Sequence, residues 1–256
     1  MILTRTIIRT RTLIWFLTTL LTLGQTAGAQ SVRAADGHEM PPVIVIGFVG
    51  GFIRHDDLAH SEVQLAARLR QAYPSGVDVE TFESYHKGKA RNWVLGLLDS
   101  NHDGTLTAGE RQNARIIIYG HSWGGSEAIN LARELERDGI PVLLTVQVDS
   151  ISFRHNDRVI PANVARAANF YQPNGLLRGQ SDIRASDAGR TSIIGNFRSD
   201  YAASPYSCEK YPWYDRVFVK THTQIECDAE VWKHAEALIR SVLPLTTASE
   251  TKPDHR

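Results

Sequence analysis

Arg115-Ile116-Ile117-Ile118-Tyr119-Gly120-His121-Ser122-Trp123-Gly124-Gly125 is the stretch on which the fold turns. Ile116 to Tyr119 is a continuous apolar run of the kind that forms a strand buried on both faces, and it runs straight into the G-x-S-x-G spacing of a nucleophile elbow. A serine at a tight strand-to-helix turn sits in strained backbone. Glycines two before and two after it let strand and helix crowd together without Cβ clashes, so the hydroxyl is presented at the end of a sheet. At average glycine usage the bare pattern turns up by chance in roughly one chain in ten of this size, so the partners such a serine needs must come from elsewhere.

Outward from the elbow, apolar strands alternate with amphipathic helices. Upstream, Pro41-Pro42 opens a buried strand at Val43 to Ile46, followed by a glycine-rich loop, Gly47 to Phe52. Helical spacing follows from Asp57 to Tyr73, alternation over Val77 to Phe82 suggests a strand near a sheet edge, and His86 to Leu98 carries one apolar helical face. Downstream, Gly125 to Arg137 reads as a long helix ended by Asp138-Gly139, and Val142 to Val148 as a second buried strand ending at Asp149. Val164 to Tyr171 is a weaker strand. Arg178 to Tyr214 has no clear period and reads as a long surface excursion; Arg216 to Lys220 reads as a last strand with His222 just past it, and Ala229 to Val242 as a closing helix. The alternation predicts an α/β fold: one domain over residues 42–244, a mostly parallel sheet covered by helices on both faces.

In such sheets functional groups collect at the carboxyl ends of strands. The glycine loop near Phe48, Ser122, Asp149 and His222 all fall there. A serine needs a histidine to take its proton and an acid to hold the imidazole. Of the histidines that follow Asp149, His155 is too near it, His234 sits mid-helix and His255 lies in the tail, which leaves His222. Asp149 is the favoured acid because it directly follows a buried strand; Asp187, Asp200 and Asp228 are the rivals.

In VIVIGFVGG (Val43 to Gly51), IIIYGHSWGGSEAINLARELE (Ile116 to Glu136), VQVDS (Val146 to Ser150) and KTHTQIECDAEVW (Lys220 to Trp232), the chain resembles the α/β-hydrolase superfamily in its lipase, esterase and thioesterase-like branch. The resemblance covers most of residues 42–243. It implies a three-layer hydrolase-like fold, with Ser122 as nucleophile, His222 as general base and Asp149 as its orienting acid. The implied oxyanion hole is the backbone N–H of Trp123 with one from Phe48 or Val49. The acid departs from the commonest family pattern by following the strand next after the elbow instead of the one beyond. The implied activity is cleavage of a carboxylic ester or thioester through an acyl-enzyme. The alternative is a non-catalytic calcium-binding or interaction protein on the same scaffold.

A second motif precedes the elbow. Asp99 to Glu110 (DSNHDGTLTAGE) fits D-x-[DN]-x-[DN]-G-x5-E at every specified position. In an EF-hand-like loop Asp99, Asn101 and Asp103 offer side-chain oxygens to Ca²⁺, Thr105 its carbonyl, Thr107 acts through water, and Glu110 closes the site. The exiting helix has room only for Arg111 to Arg115, and no second loop is present to pair with. His55, Asp56 and Asp57 form a further polar cluster but lack a second spaced ligand set.

Lysine plus arginine and aspartate plus glutamate both count 28, which gives no electrostatic case for nucleic acid and points to a small-molecule or lipid-like ester partner. Residues 1–29 carry Arg5, Arg9 and Arg11, an apolar run from Leu13 to Leu23 too short to span a bilayer, and Ala27-Gly28-Ala29. This is the pattern of a cleaved signal peptide, followed by a polar leader over 30–41, and it predicts a secreted or periplasmic protein with no stable membrane span after cleavage. Cys208 and Cys227 would then meet an oxidising compartment, where an even count favours one disulfide. Residues 245–256 read as a flexible tail.

Overall fold

The computed structural model of the chain describes residues 42–86, 88–153, 156–202, 208–211, 213, 216 and 219–245. The expected signal peptide and leader over 1–41, and all of the expected tail but Leu245, lie outside them.

Six strands form one sheet in which every pairing is parallel: β1 (Val43–Val49), β2 (Val77–Glu83), β3 (Arg115–His121), β4 (Val142–Val148), β6 (Val164–Tyr171) and β8 (Ser192–Arg198), in the spatial order β2-β1-β3-β4-β6-β8. Two short segments, β5 (Val159–Ile160) and β7 (Arg184–Ala185), pair separately.

Alternation along the strands divides the core. Val43, Val45, Ile117 and Tyr119 face α1 (Ser61–Ala72) and the C-terminal helix α6 (Ala229–Arg240), where Leu65, Leu69, Trp232 and Ile239 pack on them. Ile44, Ile46, Ile116 and Ile118 face α2 (Lys89–Leu98) and α4 (Trp123–Arg137), represented by Val94, Ile129, Ala132 and Leu135. A sheet buried on both sides explains why these strands read as unbroken apolar runs. Between α2 and β3 lie the acidic loop and a short helix, α3 (Ala108–Gln112). After β8 the chain returns through Cys208 to α5 (Lys220–Cys227), which precedes α6. The two cysteines are joined in a disulfide.

The alternating VDVETF segment is indeed an edge strand. The predictions fail in three places. First, β1 runs through Val49, so the loop after it begins at Gly50 and not at Gly47. Second, the expected excursion over 178–214 contains β8, the far edge of the sheet; its pairing with β6 shifts register at Ala167/Ala168, and Gly195 and Asn196 break the apolar pattern that would have marked it. Third, Lys220 is not the end of a strand but the start of α5, and Arg216, the other described end of the expected strand, is helical.

Candidate active site

Parallel strands bring their carboxyl ends to one edge, and β1, β3 and β4 are neighbours in the sheet. Ser122 follows β3 as the N-cap of α4, with φ +56° and ψ −125°. Its N–H donates to the Val148 carbonyl at 3.0 Å and its carbonyl accepts from Ile151 N–H at 3.0 Å, so the elbow is stitched to the end of β4. The flanking glycines act as their spacing suggested. A Cβ on Gly120 would collide with the Gly124 backbone, and one on Gly124 with the Phe48 carbonyl.

His222 brings its Nε2 to 2.9 Å from Ser122 Oγ and its Nδ1 to 2.7 Å from Asp149 Oδ2. It lies on the first turn of α5 and not in a loop. Thr221 Oγ1 secures that turn by donating to the Asn174 carbonyl at 2.9 Å. Asp149 is fully buried and also holds positive φ, +43°. Its oxygens accept from Gly179 N–H at 2.7 Å and from Gln172 Nε2 at 2.9 Å. Neither residue stood out in the sequence; Gln172 follows β6 as Asp149 follows β4, which is the only hint of its position. The rival acids are occupied elsewhere. Asp187 accepts from Gly189 N–H, Asp200 pairs with Arg198, and Asp228 N-caps α6. His234 packs against Phe170 and Phe197, while His155 and His255 lie outside the described residues.

Trp123 is the first residue of α4, where no preceding helical turn takes its N–H. Phe48 and Val49, named above with it, are buried within β1, and neither lines the cavity beside Ser122. The residue that approaches the serine is Gly50, at which a Cβ would lie 3.0 Å from Ser122 Cβ. The cavity encloses about 780 Å³, and Gly50, Phe52, Ser122, Trp123, Phe153 and His222 are among the residues that line it. Trp123 packs between Phe52 and Phe153, with ring centroids 5.5 and 5.9 Å away.

Behind His222 lies a polar cluster that the sequence did not suggest. The His121 ring stacks on His222 at 4.6 Å and faces Glu62 and Glu226. Burial alone would lower the His121 pKa, but the carboxylates of Glu226 and Glu62 outweigh it and raise it to about 9. Burial would raise Glu226, yet His121, His60 and the Tyr211 hydroxyl hold it down at about 2. Tyr211, buried against that carboxylate, is pushed up.

In the acidic loop, Asp99 Oδ2 accepts from Gly104 N–H at 2.8 Å, Asn101 Oδ1 from Asp103 N–H at 3.0 Å, and Asp103 Oδ1 from Thr105 N–H at 2.8 Å. Glu110 reaches back to Ser100 N–H at 2.9 Å and forms a capping box with Thr107 at the start of α3. The Ser100 hydroxyl and Thr107 hold its carboxyl at about 2. The expected geometry of Gly104 is present, with φ +81°. His55, Asp56 and Asp57 do not gather: Asp56 pairs with Arg54 and Asp57 accepts from Ala59 N–H.

No family model and no curated protein matches the chain. Among solved structures it is similar to a protein provisionally described as a YdeN-like hydrolase from Pectobacterium atrosepticum, at 14% identity, over 79% of this chain and 94% of that one, with a TM-score of 0.36. A likeness of that size carries no argument about chemistry. The parallel sheet, its order and its helical layers establish the α/β fold on their own.

Proposed function

We propose that the protein is a serine hydrolase that cleaves a carboxylic ester or thioester through an acyl-enzyme on Ser122. The observation that carries this reading is the unbroken chain from Ser122 Oγ through His222 to Asp149, at 2.9 and 2.7 Å. Asp149 accepts the Nδ1 proton, which leaves Nε2 free to take the serine proton as Oγ attacks the carbonyl carbon. The same Nε2 then hands that proton to the departing alcohol or thiol, and a water repeats the sequence to release the acid. The oxyanion is met by Trp123 N–H at the positive end of α4 and by an N–H of the Gly50 to Phe52 turn, whose approach to Ser122 depends on glycine.

Phe52, Trp123, Phe153 and Leu177 line the same cavity and favour a hydrophobic acyl group. Calcium belongs to the reading as a structural ion, since the loop from Asp99 to Glu110 offers hard oxygen donors around a glycine turn. The disulfide and the leader pattern support an exported protein.

A fluorophosphonate probe should label the wild type and leave Ser122→Ala and His222→Ala unlabelled. p-Nitrophenyl esters of increasing chain length should then be turned over with a preference for apolar acyl groups. A folded wild type that resists the probe would establish the non-catalytic alternative.

A further inference from the structure

We infer that His60, Glu62 and Glu226 form a three-ligand site for a divalent transition-metal ion, of which Zn²⁺ is the best match, with the His121 ring packed beside the two carboxylates. Two elements bring the ligands together: His60 and Glu62 open α1 and Glu226 lies on α5, while His121, at the end of β3, faces both carboxylates. One ligand atom from each of His60, Glu62 and Glu226 falls within 4.8 Å of the others, a grouping that no other set of three or more His, Cys, Asp or Glu side chains achieves among the described residues.

Two further observations point to a ligand. Glu62 has no exposed surface and neither of its carboxylate oxygens makes a hydrogen bond; His121 is 2% exposed and neither ring nitrogen makes one. Buried groups of this polarity are costly when left without partners. Yet they face one another: His121 Nδ1 lies 3.6 Å from Glu62 Oε1 and 3.6 Å from Glu226 Oε2. These gaps are too long for hydrogen bonds. Two ligand atoms on a tetrahedral ion with bonds of about 2.1 Å lie about 3.4 Å apart, so the grouping of His60, Glu62 and Glu226 within 4.8 Å needs only a modest adjustment to close on an ion.

The chemistry of the donors selects the ion. One imidazole and two carboxylates, with a fourth position open to water, suit Zn²⁺, whereas Ca²⁺ and Mg²⁺ ask for oxygen alone. The contact of 2.6 Å between His60 Nδ1 and Glu226 Oε1 would open by somewhat under an ångström, with the ion replacing the shared proton. Tyr211 OH donates to Glu226 Oε1 at 2.6 Å and fixes its carboxylate from outside the set. An entry path exists, because His60, His121 and Glu226 all line the cavity beside Ser122.

The test is equilibrium dialysis of the tag-free full chain against Zn²⁺ in excess Ca²⁺, so that the loop of residues 99–110 does not take up the added ion. Metal content is then measured, and Co²⁺ is substituted to read four-coordination from its visible absorption. One equivalent per wild-type chain is expected. Affinity should fall at least tenfold in His60→Ala and in Glu62→Gln, whose side chain keeps its shape, and should be unchanged in His86→Ala, whose imidazole pairs with Glu83 outside the cluster. A wild type that binds no stoichiometric Zn²⁺, or binding that survives both ligand substitutions, would show that the cluster is only a buried ion network. Esterase activity in a metal-free chain would leave the acyl-enzyme reading intact while the site was rejected, so the two conclusions fail separately.

Discussion

Ser122 occupies a backbone conformation that costs a non-glycine residue about 1–3 kcal/mol, and it persists because hydrogen bonds to Val148 and Ile151 and two flanking glycines leave the chain no other path. Gly124→Ala tests that packing. Its Cβ would press on the Phe48 carbonyl, so a loss of about 3 kcal/mol or more is expected in urea unfolding, together with loss of Ser122 labelling. Gly96→Ala is the counterpart: nothing lies within 4 Å of a Cβ there, and a mid-helix alanine on α2 should stabilise by up to about 1 kcal/mol without touching the site. A Gly124→Ala protein as stable and as reactive as wild type would overturn this account of the elbow. The role of Gly124 was legible in the sequence because the G-x-S-x-G spacing marks it, although the backbone it spares, at Phe48, belongs to another strand. The parts played by Gln172, Gly179 and Glu226 were not, because each meets its partner only after distant strands and helices have come together.

At the scale of elements, α5 decides the site, and it is where local pattern misled. Arg216 to Lys220 sets a β-branched and aromatic apolar run between two charges, as a strand would, but Arg216 is helical and a helix begins at Lys220. That helix is held at its first turn by Thr221 on the Asn174 carbonyl and at its last residue by the Cys208–Cys227 disulfide. Trp232 on α6 adds an indole N–H to the Glu226 carbonyl at 2.6 Å. A bridge closing a loop of this size stabilises by about 3 kcal/mol. Its position suggests that the stabilisation is felt first where His222 is carried. Mild reductant, or Cys208→Ser with Cys227→Ser, should therefore lower turnover while far-UV circular dichroism still reports an intact sheet. Simultaneous loss of both signals would count against this role.

For the whole molecule, five of the six sheet strands and the order serine, acid, histidine could be read from one sequence: continuous apolar runs identify β1, β3 and β4 as buried on both faces, alternation identifies the edge strand β2, and β6 gave a weaker signal. The sixth strand escaped because an edge strand interrupted by Gly195 and Asn196 has neither a continuous run nor a clean alternation. The proposed calcium ion would act at this scale, because the loop from Asp99 to Glu110 joins α2, in one helical layer, to the strand that presents Ser122. An ion bound only by the folded chain raises stability by mass action. The melting temperature should accordingly be higher in Ca²⁺ than in chelator, and Asp103→Ala should abolish the difference. A melting temperature indifferent to chelator would remove calcium from the account.

The distance of 100 residues in sequence between Ser122 and His222 sets when the proposed hydrolase would acquire its reactivity. Contacts so far apart close late, after the local crossovers of the sheet have formed. A chain synthesised through Ile151 has every partner that holds the strained serine, yet lacks the proposed base until α5 has been made. Reactivity arrives with the docking of the last two helices, so the enzyme proposed here is silent during its own synthesis without needing a separate inhibitor.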